Sequence, residues 1–320
     1  MSMKTVSNVI HDHPYVTEET RRRVLSAIDE VGYRPNLSAR NLARGRSGVI
    51  ALVVPRLEMP YFAALASRIV EQAEARGWFV LIQQSGGDGQ VERRALAGRF
   101  PQRIDGLIIS AEQLTAQDVT SRADRTPLVM LGDMDFGEHA HHVGIDNAQA
   151  AREAVDHLLR SGRRRIAMIG ATPECPPESR TAGYLTALKE AGVEAPAGFM
   201  RTIAANSGEE GQRALCDLLD EVAEPPDGIF AVTDWVALGA VRELRARGLH
   251  VPSDVAVVGF DDIPYTRVSS PSLTTISPDR AAVAEQAISK LEAQLRGASS
   301  PAEPTRSRVP FSLSIRESAP

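Results

Sequence analysis

Long apolar runs are missing from this 320-residue chain. No segment approaches the roughly 18 continuous apolar residues that a membrane span needs, and the N-terminus carries no apolar core of the signal-peptide kind. Both absences predict a cytoplasmic protein with no membrane partner. Cysteine is scarce as well. Cys175 and Cys216 stand far apart in unrelated contexts, which excludes a disulfide framework and fits a reducing compartment. Low-complexity stretches are absent and aromatic residues make up only 5% of the chain, yet 43% of residues are hydrophobic. That is globular composition, and the length predicts two or three compact units.

Catalytic and metal signatures are equally thin. Ser85-Gly86-Gly87-Asp88-Gly89 follows a strand pattern as a phosphate loop would, but it lacks the Lys-Ser/Thr of a P-loop and reads as a surface turn. His139-Ala140-His141-His142 resembles a metal cluster set in a loop, without the spaced partners of a zinc site. No Ser/His/Asp or Cys/His arrangement has supporting context. The expectation is no enzyme, no cofactor and no metal. Arg163-Arg164-Arg165 reads as a solvated turn between helix and strand.

Charge is unevenly spread. Residues 1–46 hold 8 Lys/Arg against 5 Asp/Glu, a net of +3, so the remainder must carry −8 to reach the chain's −5. A basic head on an acidic body suits a head that meets phosphates and a body that stays off them.

From Val49 onward, short β-branched runs alternate with helical patches. Strands are predicted at 49–54, 78–83, 106–110, 128–131, 166–170, 228–232 and 255–260. Helical patterns lie at 61–76, 90–100, 148–161, 179–191, 208–219 and 236–247, and several end in glycine, the residue that fits the left-handed position past a helix end. Such repetition specifies parallel sheets covered by helices on both faces. It divides most naturally near Asp146-Asn147 into two doubly wound α/β lobes, with a cleft between them at the carboxyl ends of the strands. Strand patterns around 273–276 and 309–315 would be crossovers tying the lobes together.

The first 46 residues read differently. A short helical stretch at Lys4–Ile10 is followed by a polar turn and a second helix that Thr17 can cap. Glu18 and Glu19 complement that helix's dipole, and Gly32 ends it. Tyr33-Arg34-Pro35-Asn36 cannot continue a helix through proline. A weak helix former bearing Arg40 follows.

TVSNVI, then PYVTEETRRRVLSAIDEVGYRPNLSARNLARGRSGVIALVVP, resembles the headpiece, hinge and first strand of the LacI/GalR family of bacterial repressors. The similarity continues through RIDGLII at 103–109, VGIDN at 143–147, ESRTAGYLTAL at 178–188, TDWVALGA at 233–240 and VPSDVAVVGFDDIP at 251–264. The resemblance implies a type I periplasmic-binding-protein-like body behind a helix-turn-helix head. Its divisions would be a partial headpiece at 1–35, a hinge helix at 36–47 and an effector-binding and dimerisation domain at 48–320. Within the last, the N-lobe takes about 48–146 and 278–305, and the C-lobe about 147–277 and 306–320. It also implies a first helix and turn ahead of Met1. Met1 stands where the family has the Val of Gly-Val-Ser, and a valine codon can serve as a start, so the expectation is a misassigned start.

The family's second head helix enters the major groove. On that resemblance Met3, Lys4 and Asn8 face base edges, with Thr5, Ser7 and Tyr15 nearer phosphates. Arg40 belongs to the hinge, and Leu42 stands where a leucine wedges into the minor groove; the plainer alternative leaves Leu42 as an ordinary linker residue. For the cleft the resemblance nominates Tyr61, Phe62, Asp133, Arg180, Asn206, Thr233, Asp234, Asp261 and Arg280. Aromatics stack on sugar faces, while Arg and Asp make charge-assisted bonds to hydroxyls. Tyr61 and Phe62 can equally be core, and one of Asp261 and Asp262 can cap a turn. Gly132 stands where many members have a ligand-binding acid, Thr233 replaces an Asn, Asn206 replaces an aromatic, and Arg280 adds a cation. These departures leave room for an acidic or phosphorylated effector, ranked below a plain sugar.

The function so implied is a ligand-responsive regulator, a repressor by type, that binds a pseudo-palindromic operator as a homodimer under control of a sugar or sugar derivative. The alternatives are a truncated regulator that binds effector but not DNA, and a periplasmic-type sugar-binding protein.

Overall fold

The structure, a computed structural model, describes residues 2–10, 13–32, 46–132, 134, 136–297 and 305–320. The chain divides into two compact units, Met1–Gly48 and Val49–Pro320.

In the first unit, α1 (Met3–Ile10) and α2 (Glu18–Glu30) pack together through Val9 and Val24, which are 4% and 2% exposed. Thr17 caps α2, its hydroxyl accepting the Thr20 N–H at 3.3 Å, and Gly32 leaves it at φ +62°. These two buried valines are the little core the described part of this unit has.

The second unit begins with β1 (Val49–Val54), α3 (Pro60–Glu74), β2 (Phe79–Gln84), α4 (Gly89–Leu96), β3 (Gly106–Ser110), α5 (Ala116–Thr120), β4 (Leu128–Leu131) and β5 (His141–Gly144). The chain then crosses into α6 (Asn147–Arg160), β6 (Ile166–Ile169), α7 (Arg180–Glu190), β7 (Met200–Arg201), α8 (Gly208–Glu221), β8 (Gly228–Ala231), α9 (Asp234–Ala246), β9 (Ala256–Phe260) and β10 (Thr274–Pro278). It returns through α10 (Arg280–Leu295) and β11 (Arg306–Arg308), and crosses a last time into β12 (Phe311–Ser314). The first sheet runs β11-β5-β4-β3-β1-β2 and the second β12-β10-β9-β8-β6-β7. Every pairing is parallel except β10 with β12, so both lobes are the doubly wound sheets the alternation predicts.

Continuous apolar strands are what a sheet covered on both faces requires. In β1, Ile50 through Val54 are wholly buried, each contributing about 1.5–3 kcal/mol on burial for the branched side chains. Helix α10 packs on α3 and on β3, β4 and β5. Gly106 makes its approach feasible: a Cβ there would lie 2.8 Å from the Leu291 methyls.

Several local expectations change. Because β11 pairs with β5, the last crossover falls after Arg308 rather than at 305–306. Within the His-rich text, His139 ends a 3-10 turn, and His141 and His142 open the strand β5 rather than lying in a loop. Its backbone pairs with β4 and β11, and His141 and His142 are 8% and 3% exposed. The arginine run is not simply solvated. Arg163 donates to the Pro252 carbonyl at 2.6 Å, Arg164 to that of Leu159 at the end of α6 at 2.7 Å and Arg165 to that of Pro225 at 3.1 Å, tying the turn to its surroundings. The glycine-rich run is the β2–α4 turn, where Asp88 caps α4 by accepting the Gln90 N–H at 2.7 Å.

Candidate functional site

The carboxyl ends of both sheets open onto an interlobe cavity of about 680 Å³, within the range of small-molecule sites. A second cavity of about 720 Å³ adjoins it, sharing Arg56, Met59, Ala205 and Asn206.

The first-lobe wall starts at the turn from β1 into α3. Pro60 occupies the first turn of α3, where a missing N–H costs nothing, and Tyr61 and Phe62 follow. Their rings meet edge to face, 5.3 Å apart at 76°. Both line the cavity while packing partly against the core. Beside them Arg56 lies 3.7 Å from Glu112. Burial raises the Glu112 carboxyl above its ordinary range; Arg56 opposes the shift and the Glu92 carboxylate adds to it.

Glu92 is a buried acid behind this wall that the sequence pattern did not single out. Wholly buried in α4, it accepts the Glu112 and Gln113 N–H groups at 2.9 Å each and the Ser85 hydroxyl at 3.4 Å. It thereby fixes the loop that brings Glu112 and Gln113 to the cleft. The signal was present: Glu92 shares one helix face with buried Ala95 and Leu96, and an acid on an apolar stripe requires buried partners.

The second-lobe wall is built on helix N-termini. Ser179 caps α7, accepting the Ala182 N–H at 3.1 Å, and so places Arg180 at the helix start. Arg180 donates from Nε to Asn147 Oδ1 at 3.0 Å and from a terminal nitrogen to the Val232 carbonyl at 2.5 Å. Its guanidinium lies over the ring of buried Phe260. Thr233 caps α9, and it lines the cavity together with Asn206 and Asp261. Asp261 and Asp262 sit at φ +112° and +48°, strained backbone for non-glycine residues that persists where the surroundings over-determine it.

Two nominated contacts lie elsewhere. Asp234 is wholly buried and does not line the cavity; it accepts the Ile263 N–H at 2.9 Å and the Thr275 hydroxyl at 2.6 Å. Burial, reinforced by the charge of Asp261, pushes its carboxyl well above the ordinary range. Arg280 does not line the cavity either. It donates to the carbonyls of Asp261 and Asp262, the latter at 3.3 Å, pinning the strained turn from behind. The spacing that nominated both residues could not show that their polar groups are engaged elsewhere in the protein.

Asp133, Arg40 and Leu42 lie outside the described residues. Met3, Lys4, Thr5, Ser7 and Asn8 all fall on α1, and Tyr15, in the turn after it, is 90% exposed. Among the described residues, no group of three His, Cys, Asp or Glu is placed to hold a metal ion, and no helix is long and apolar enough to cross a membrane.

Residues 1–36 match the lacI family of bacterial regulatory proteins, and residues 155–319 match the periplasmic binding protein-like domain. The HTH-type transcriptional repressor CytR of Escherichia coli K12 is 31% identical over 299 residues, 93% of this chain and 87% of the relative. The chain belongs to the LacI family. A solved LacI-family regulator from Sanguibacter keddieii is 37% identical, with a TM-score of 0.78 over 86% of this chain and 99% of that one. A LacI-family regulator from Lactobacillus casei with bound glucose is 28% identical, with a TM-score of 0.73 over 85% and 99%. This LacI-family chain is accordingly a transcriptional regulator with the two-lobed α/β body of its relatives.

Proposed function

We propose that this regulator binds a pseudo-palindromic operator as a homodimer, in the cytoplasm, and responds to a neutral sugar or sugar derivative in the interlobe cleft; it performs no catalysis. The observation that carries the reading is the convergence on one cavity of an aromatic pair, Tyr61 and Phe62, with Arg180 held over Phe260. Apolar faces and fixed charge-assisted donors together are what a polyhydroxylated ring requires. The glucose bound by the Lactobacillus casei relative supports the class. Two cations, Arg56 and Arg180, meet two acids, Glu112 and Asp261. With Arg280 spent on backbone carbonyls, the case for an anionic effector loses its extra cation.

In the head, α1 is the reading helix, carrying Met3, Lys4 and Asn8 to base edges and Thr5 and Ser7 towards phosphates, with Tyr15 beside them. Headpiece 1–35 and hinge 36–47, with Arg40 and Leu42, complete the DNA-binding part. Operator affinity should fall steeply with salt as phosphate contacts release counterions. For the homodimer, the support is β2, an edge strand whose Phe79 and Ile82 are 59% and 37% exposed; exposed apolar side chains on an edge strand invite a partner.

A thermal-shift screen of neutral sugars, sugar phosphates and sugar acids tests the effector class. A neutral sugar should raise the melting temperature by several degrees at saturating concentration. A response confined to phosphates or acids would overturn the neutral assignment.

A further inference from the structure

The two cleft walls are joined by more than the chain crossovers. Arg306 and Arg308 alternate with Ser307 on β11, so both arginines project from one face of the strand. That strand is the outer edge of the first sheet. Arg306 forms a two-pronged pair with Glu178, its first nitrogen at 2.6 Å. Arg308 reaches both Glu178, at 3.8 Å, and Asp146. Glu178 belongs to the second lobe, and Asp146 lies at the crossover between the lobes. Asp146 caps α6 beside the first crossover, and Glu178 stands directly before Ser179, the cap of α7, and Arg180.

We infer that Arg306 and Glu178 are positioning residues of the effector site: with Arg308 and Asp146 they strap the first-lobe sheet edge to the turn that carries Arg180, and so set how far apart the cleft walls stand. The consequence for effector rests on the reading of the cleft above, whereas the strap itself does not.

An isolated exposed ion pair contributes little. Three features set this one apart. The Arg306–Glu178 geometry is two-pronged, which adds direction to attraction. The side chains of Arg306 and Glu178 are only 27% and 35% exposed. Four charges form one cluster, so losing one member unbalances the rest. On this inference, separating the lobes would pull Glu178 from both Arg306 and Arg308, while Asp146 stays beside Arg308 at the crossover.

The test is a double-mutant cycle read by hydrogen exchange on the full chain without ligand, at low and at high salt. The variants are Arg306→Gln, Glu178→Gln and both together, with Arg245→Gln, on the exposed surface of α9, as a control for loss of one charge. Each single variant should speed exchange in the cleft-wall peptides 56–65 and 202–206 by roughly three- to tenfold. The double variant should add little to either, because one interaction is lost in all three. About 0.5 M salt should bring the wild type towards the variants. Wild-type exchange in the single variants, or effects that simply add, would overturn the strap. Because exchange is read without ligand, the outcome decides the strap whether or not any sugar binds.

Discussion

The guanidinium of Arg180 lies 3.6 Å from the centre of the Phe260 ring. Stacking holds it from one side, and Asn147 and the Val232 carbonyl hold its edge. A ligand entering the cleft thus meets a cation whose direction is already set, and binding does not bear the full rotamer entropy of a long side chain.

On the opposite wall, Glu92 fixes the loop that carries Glu112 and Gln113. Glu92→Ala leaves the Glu112 and Gln113 N–H groups without their acceptor and should destabilise the body by roughly 2–4 kcal/mol. Urea unfolding measures it; a loss under about 0.5 kcal/mol would show that the loop finds other partners.

Asp234 makes stability pH-dependent in an unusual direction for a carboxylate. Its folded carboxyl titrates above the ordinary range, so over that interval the folded state holds a proton that the unfolded state has lost. Its contribution is therefore full at pH below the unfolded value and shrinks as pH rises towards the folded one. The stability of wild type relative to Asp234→Asn should fall as pH rises above the ordinary carboxylate range, by at most about 1.4 kcal/mol per unit. Unfolding curves across that interval check the sign; a rising difference would contradict it.

Much of the fold was legible because parallel strands buried on both faces are short and wholly apolar: β1, β3 and β4 coincide with their predicted runs. Strand β5 was not legible, since His141 and His142 carry little apolar signal and the strand exists through pairing with β4 and β11, the latter more than 160 residues away. In the site, Tyr61, Phe62, Arg180, Asn206, Thr233 and Asp261 do line one cavity. Asp234 and Arg280 turn away from it for a reason no local pattern encodes: the strained Asp261–Ile263 turn needs donors and acceptors brought from α9 and α10.

Helix packing in the second lobe depends on Gly183. A Cβ at this position would lie 2.1 Å from the Ala148 carbonyl oxygen, and backbone cannot step aside as a side chain can. Gly183→Ala should force α6 and α7 apart and lower stability by about 1–3 kcal/mol, despite the better helix propensity of alanine. A melting temperature at or above wild type would contradict the close approach.

The proposed dimer makes a separate prediction. Phe79 is 59% exposed on β2, so Phe79→Asp should leave the monomer's unfolding midpoint nearly unchanged while shifting sedimentation from dimer to monomer. A variant that remains dimeric at the same concentrations would move the interface elsewhere.

The most direct test of the cleft as effector site is a calorimetric titration of the neutral sugar that gives the largest thermal shift, into wild type and into Arg180→Ala. Loss of charge-assisted hydrogen bonds should raise Kd by roughly ten- to a hundredfold. Equal affinity in the two proteins would contradict the placement of the effector on Arg180.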